Sequence, residues 1–207
     1  MPAATYRQAT RVDLGITVEW AAAEGWNPGL DGVFDMHSFY ASGGFEFSHR
    51  TVRMAGTGTA AEPDPNIVEL STLPFGTVTA FDQRHFGFSR EQFLRSWISP
   101  RSGLGLAALH REEIAAMGVI RPCRNGFKIG PLFANAPDLA QALFASLSSF
   151  AADQPIFLDT PENNAAALAL ADRQGLTEVF GCARMYYGPA PVLPWDDIYG
   201  ATTFELG

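Results

Sequence analysis

Apolar and polar positions along the chain change their period several times, and each change marks an element. Over "DLGITVEWAAAEGWNPG", from Asp13 to Gly29, Leu14, Val18 and Ala22 recur near helical spacing, and Asn27-Pro28-Gly29 ends the run. A short strand at Gly32–Phe34, a brief helix around Met36–Ala41 and a strand at Phe45–Met54 follow. The pattern then breaks. "AGTGTAAEPDPN", Ala55–Asn66, replaces apolar periodicity with Gly, Thr, Ala and Pro and reads as a linker. The piece before it, 1–56, is too short to bury much surface alone and needs something to dock on.

Beyond the linker the elements come in a fuller series. Strands are predicted at Ile67–Thr79, Leu104–His110, Ile114–Pro122, Phe127–Phe133, Pro155–Thr160, Thr177–Tyr187 and Tyr199–Leu206, and helices at Ser89–Trp97, Pro137–Phe150 and Pro161–Gln174. Ser89 with Gln92 has the spacing of a capping box, and Pro137 and Pro161 suit first helical turns. Strands followed by strand-helix-strand units predict a mixed α/β domain of the α+β type, with an antiparallel front.

Composition narrows the function. Apolar residues at 47% and charged ones at 17% allow a real core. The 22 acidic residues against 14 basic ones give a formal charge of -8, Lys128 is the single lysine, and no arginine cluster occurs, so nucleic acid and anionic membranes are disfavoured as partners. The first residues, "MPAATYRQATRVDLG", have no basic-then-apolar pattern and no run reaches a bilayer's roughly 20 residues, which leads us to expect a cytoplasmic protein. Cys123 and Cys182 are far apart without a CxxC spacing and read as buried thiols. His37, His49, His85 and His110 are scattered, so no metal is expected.

A strand, a helix, a second strand "IFLDTPE" and then "NAAALALADRQGL" follow the order of the GNAT acyl-CoA N-acyltransferase fold, which the chain resembles. In that fold a segment N-x-x-A-x-x-L-Y-x-x-x-G-F carries an asparagine near the cofactor and a tyrosine that often acts as general acid. Asn164, Ala167, Leu170 and Gly175 fall in place, with Leu176 at the Phe position and Ala171 at that of the tyrosine. "EWAAAEGWNPG", "FGFSREQFLRSWI", "RPCRNGFKIGPLFA", "ARMYYG" and "TTFELG" look like a bacterial family with two such domains in tandem. The resemblance implies a first domain that binds acetyl-CoA and a second, degenerate copy. "EGWNPGL", however, runs almost directly into "LDGVF", so the middle of the first domain, with its pyrophosphate loop, is missing. The expected organisation is a remnant over 1–56, a linker over 57–66 and a degenerate domain over 67–207, with a GNAT-like mixed sheet flanked by helices.

Acetyl transfer to an amine needs a cradle for the pyrophosphate, a donor for the thioester oxygen or leaving thiolate, and a route for the amine's proton. The resemblance puts Tyr40, four residues before Gly44, at the family tyrosine of the first domain, and Glu24 beside the acceptor site; Asp159 and Glu162 are further candidate bases. Cofactor contacts fall on Leu132, Phe133, Ala134, Asn135, Asp138, Ala140 and Asn164. Aligned with R/Q-x-x-G-x-G/A-x-x-L, "NAPDLAQAL" sets Asn135 at the Arg/Gln position and Asp138 at the first Gly, and only Ala140 and Leu143 conform. Pro137 withdraws an N–H and Asp138 repels a diphosphate, so the corner reads as a connection more than as a coenzyme site. Asn164 reads equally as a pantetheine contact or as a helix cap. Tyr186 and Tyr187 read as strand packing, and Arg121 and Arg124 as solvated or paired groups. The reading that results is an N-acetyltransferase-like protein, weak or inactive in this chain, with acetyl-CoA as cosubstrate, an unknown small-molecule or protein amine as acceptor, no metal, and a homo-oligomer in prospect. The alternative is a non-catalytic ligand-binding or assembly module.

Overall fold

Two runs, "EIAAMGVIRP" and "FKIGPLFA", are apolar at nearly every position rather than at alternate ones, the mark of strands covered on both faces. In the computed structural model, which describes residues 37–204, they are the central strands β4 (Glu113–Pro122) and β5 (Phe127–Ala134). A two-residue turn feeds β4 from β3 (Leu104–His110). Arg111 and Glu112 both take the left-handed conformation there, at φ 51° and 68°, as a hairpin turn that matches the strands' twist requires.

Outside β3 lies β2 (Ile67–Glu69), and beyond β5 come β6 (Pro155–Pro161), β1 (Phe45–Thr57) and β7 (Thr177–Tyr187). Among the described residues the sheet has eight strands in the order β2-β3-β4-β5-β6-β1-β7, with β8 (Ile198–Gly200) paired to β5 off that path. All neighbours are antiparallel except β5 and β6. The stretch read as a linker does not separate two sheets, because β1 before it and β2 after it belong to the same one.

Helices cover both faces. On one, α4 (Pro137–Ser149) and α5 (Ala165–Arg173) bury Leu143, Phe144, Leu147 and Leu170 against Ile120, Ile129, Leu132 and Leu158. On the other, α2 (Phe75–Phe86) and α3 (Glu91–Trp97) bury Val78, Phe81 and Leu94 against Ala107, Met117, Val119 and Phe133. A short helix α1 (His37–Ser42) precedes β1.

Strands β3 and β7 have the predicted limits, and β4, β5, β6 and α4 differ from theirs by a single residue at one end. The strand predicted at Ile67–Thr79 is corrected. It ends at Glu69, passes through a short helical turn at Leu70–Thr72, and Pro74 opens α2, whose Val78, Phe81 and His85 are buried at helical spacing. The capping box of Ser89 and Gln92 does not form. Arg90 stands at the N-cap and its guanidinium grips Asp82, through Nε at 2.7 Å and Nη2 at 2.6 Å. Pro161 closes β6 rather than opening a helix, and the final strand is confined to Ile198–Gly200. The helix predicted at 13–29 and the strand at 32–34 lie outside the described residues.

Three charges meet under the sheet where β5 and β6 part. Asp159 is fully buried; its Oδ1 accepts from Arg53 Nε at 2.7 Å, and its Oδ2 accepts both from Arg53 Nη2 at 3.0 Å and from Lys128 Nζ. Burial holds Lys128 below the usual lysine range despite that carboxylate. The ring of Phe204 lies under both cations, 4.5 Å from the Arg53 guanidinium and 5.3 Å from Lys128 Nζ. Asp159, a candidate base by sequence, is therefore fully engaged. Asp159→Asn leaves two cations without their anion and should lower the unfolding free energy by about 3–5 kcal/mol, read from urea midpoints at unchanged slope.

Candidate functional site

In the sheet the one parallel pair among the described residues is β5 with β6, and it pairs only at Phe127–Ile129 against Ile156–Leu158. Beyond Ile129 the strands part. A gap of this kind, at the C-terminal ends of parallel strands, is where α/β sheets bind ligands. Here the chain itself enters it. Strand β8 pairs antiparallel to β5, Leu132 opposite Gly200 and Phe133 opposite Ile198, and Ala201 N–H donates to the Asp159 carbonyl of β6 at 2.8 Å. Close approach requires two glycines: a Cβ on Gly200 would stand 2.6 Å from Leu158 Cδ1, and one on Gly130 only 2.5 Å from the Ala201 carbonyl oxygen. Tyr199 is buried in the core on the α4/α5 side, and Arg90 Nη1 ties Thr202 Oγ1 at 2.9 Å. Residues 198–204 form a strap across the gap.

The expected cofactor residues divide around this strap. Leu132, Phe133 and Ala134 are buried inside β5. Asn135 is exposed and its N–H extends the ladder to the Ala115 carbonyl at 2.9 Å. Ala136, Pro137 and Asp138 open α4 with no side chain capping it; Asp138 is exposed, and the N–H of buried Ala140 is already bonded to the Ala136 carbonyl. Asn164 is a cap: Ala167 N–H donates to its Oδ1 at 3.0 Å, and its Nδ2 donates to the carbonyls of Asp196 and Ile198, each at 3.0 Å. It anchors the strap, and its polar atoms are occupied. Ala171, at the tyrosine position of the family motif, is buried and has no hydroxyl. Tyr40 lies on α1 with its ring 5.8 Å from that of Phe45, beside a strand two places from β5 in the sheet order, so the structure does not bring it to the corner. Glu24 lies outside the described residues. Glu162 is held by Arg50 at 2.9 Å. Among the described residues Cys123 and Cys182 form no disulfide, and both are partly, not fully, buried.

What sequence reasoning missed is a pocket of about 270 Å³ beside the strap. Its floor is Phe133, Ile198 and Ala201; His49 and Thr51 come from β1, Arg184 and Tyr186 from β7, His85 from the last turn of α2, and Phe86, Phe88, Leu193 and Trp195 close it. His85 is 1% exposed, stacks at 4.9 Å and 10° on Phe133, and its Nδ1 lies 2.8 Å from the Phe81 carbonyl. That carbonyl can only accept, so the Nδ1–H tautomer is fixed and Nε2 is left as a bare acceptor; it has no hydrogen-bond partner. Burial keeps His85 below the usual histidine range, outweighing the Phe81 carbonyl and Asp197. His49 packs edge-on to Trp195 at 4.5 Å, and burial, aided by the Arg184 charge, lowers it to about 4. Both imidazoles are neutral at pH 7, and among the described residues Arg184 is the one charge on the wall. A signal did exist in the sequence: in "FDQRHF", His85 follows Phe81 at helical spacing on the buried face.

Among the described residues no three metal-ligating side chains come together, and no helix is long and apolar enough to cross a membrane. The sequence profile of the acetyltransferase (GNAT) domain matches residues 78–200. The chain is 26% identical over 181 residues to the holothin acyltransferase of Pseudoalteromonas sp. (strain SANK 73390), a match covering 86% of this chain and 62% of that protein's length. A Pyrococcus horikoshii protein described as an acetyltransferase superimposes with a TM-score of 0.70 at 26% identity, over 95% of this chain and 67% of that one. A GCN5-related N-acetyltransferase from Sphaerobacter thermophilus shares the fold at a TM-score of 0.55 and 14% identity, over 84% of this chain and 68% of that one.

Two outcomes follow from the site's geometry. Asn164→Ala should cost about 2–4 kcal/mol in unfolding free energy, since a cap and two carbonyl partners go together. For His49 the folded-state value near 4 lies below the unfolded 6.5, so the unfolded chain takes up a proton first and stability falls as pH drops through that window. His49→Gln should gain up to about 3 kcal/mol relative to the unsubstituted protein between pH 6.5 and 4, by urea titration at each pH.

Proposed function

The chain belongs to the GNAT acetyltransferase family, and from that premise we propose that it derives from an enzyme moving an acetyl group from acetyl-CoA to an amine and is itself weak or inactive in that reaction. The strap carries this reading. The GNAT fold generally binds acetyl-CoA, and the residues present do not fit a coenzyme in the described domain. Bare backbone amides at the mouth of α4 would have to receive a diphosphate. Pro137 offers none, and the Asp138 carboxylate stands in the first turn. The exposed backbone of β5 would have to receive an extended arm; β8 already takes it. A hydroxyl would have to protonate a thiolate, and Ala171 has none.

The same reading assigns 1–56 to the remnant of a first domain, 57–66 to a linker and 67–207 to the degenerate second domain, with β1 contributed across the linker to the second domain's sheet. The chain spans 62% of the length of the curated relative it matches. The name of that relative supports an acyl-transfer ancestry and nothing narrower.

A second reading, a ligand-binding module on this fold, is favoured by a specific observation: the pocket beside the strap is lined by His85, whose buried Nε2 has no hydrogen-bond partner. Isothermal titration with acetyl-CoA separates activity from its loss. We expect no binding heat at coenzyme concentrations on the order of 100 μM; micromolar affinity would refute the inactive reading.

A further inference from the structure

The pocket's chemistry singles out a class of ligand, an inference that rests on the ligand-binding reading and takes it one step further. Its wall is aromatic and aliphatic over most of its extent, and 270 Å³ is just below the usual range for small-molecule sites, room for a body of about one ring. Polar side chains interrupt that wall, Arg184, His85 and Thr51 among them. Arg184 is half-buried; its Nε donates to Tyr186 Oη at 3.2 Å, and among the described residues no carboxylate pairs with its guanidinium. His85 Nε2 is a buried acceptor with nothing to accept from. Thr51 adds a hydroxyl.

These features ask for complementary groups. A half-buried guanidinium with free Nη atoms in an apolar setting calls for a planar anion, and a carboxylate matches it bidentately. A buried imidazole nitrogen with a lone pair and no donor carries a desolvation cost that an O–H or N–H removes. With His49 and His85 both neutral, no second cation among the described residues of the wall competes for the anion. The nearby Asp197 Oδ2 stands 4.0 Å from His85 Nε2 and is not part of the wall. We infer that the pocket binds a small apolar carboxylic acid carrying one O–H or N–H donor, its carboxylate on Arg184, its donor on His85 Nε2 and its body against Phe133 and Trp195.

The probes are 4-hydroxyphenylacetate, its methyl ester, phenylacetate and tyramine, titrated into the full chain by calorimetry and by ¹⁵N NMR of the histidine rings. The first should bind and move the His85 Nε2 resonance away from the position of an unbonded acceptor. The ester should bind at least tenfold more weakly, phenylacetate should leave the Nε2 resonance in place, and Arg184→Gln should cost tenfold or more towards 4-hydroxyphenylacetate while leaving the unfolding midpoint unchanged. Tyramine or the ester binding as tightly as the acid would overturn the assignment of the anion while leaving a ligand pocket in place. Silence from every probe, with the His85 resonance unmoved, would sink the ligand-binding reading as well. Neither result depends on whether acetyl-CoA binds.

Discussion

A parallel pair of strands that meets for three positions and then parts leaves backbone donors and acceptors facing an opening, and buried main-chain groups must find partners. Everything distinctive about this molecule follows from how that requirement is met. Instead of leaving the edge of β5 beyond Ile129 to solvent or to a bound molecule, the chain returns after β7 and lays Ile198–Gly200 along it, with Ala201 reaching across to β6. The strap is no loose cover. Tyr199 reaches the core on one side of the sheet, Ile198 the core on the other, and Asn164 caps a helix and holds two of the strap's carbonyls at once. Displacing it would open both cores and uncap α5 together.

The charges at the fork reinforce this placement. Lys128, Asp159 and Arg53 come from β5, β6 and β1, three consecutive strands of the sheet, and they meet only in the observed register. A shift of a single residue on any of these strands would turn one of the side chains to the opposite face and leave a buried charge unpaired. Phe204 then covers the cations with its ring, resting edge-on against Phe180 of β7 at 5.4 Å. The end of the strap is thus fixed by cation–π contacts and its beginning by main-chain pairing.

The sequence made some of this legible. Continuous apolar runs gave the central strands, Pro137 at a helix start gave α4, and the spacing from Asn164 to Gly175 gave α5 and the family. Short-range signals failed where long-range partners decide. "IVELSTLPFGTVT" alternates like a strand, yet Pro74 and the burial of Val78, Phe81 and His85 against the sheet make most of it helix. Ser89 and Gln92 have capping spacing, but the ion pair of Arg90 with Asp82, eight residues earlier, takes the corner instead. The corner at Pro137 and Asp138 could be read chemically because its residues are contiguous. The pocket could not, since the strand order β5-β6-β1-β7 brings His49 and Arg184 together and the packing of α2 on Phe133 adds His85.

The two candidate sites also differ in what they ask of the chain. A coenzyme cradle is made of main chain: amides at a helix mouth and the open edge of a strand. Those groups are consumed once a proline enters the first turn and a strand fills the gap, and no side-chain change elsewhere returns them. The pocket is made of side chains standing on the closed sheet, and part of its floor, Ile198 and Ala201, exists only because the strap is in place. Closing the gap therefore removes a main-chain binding surface and builds a side-chain one in the same step.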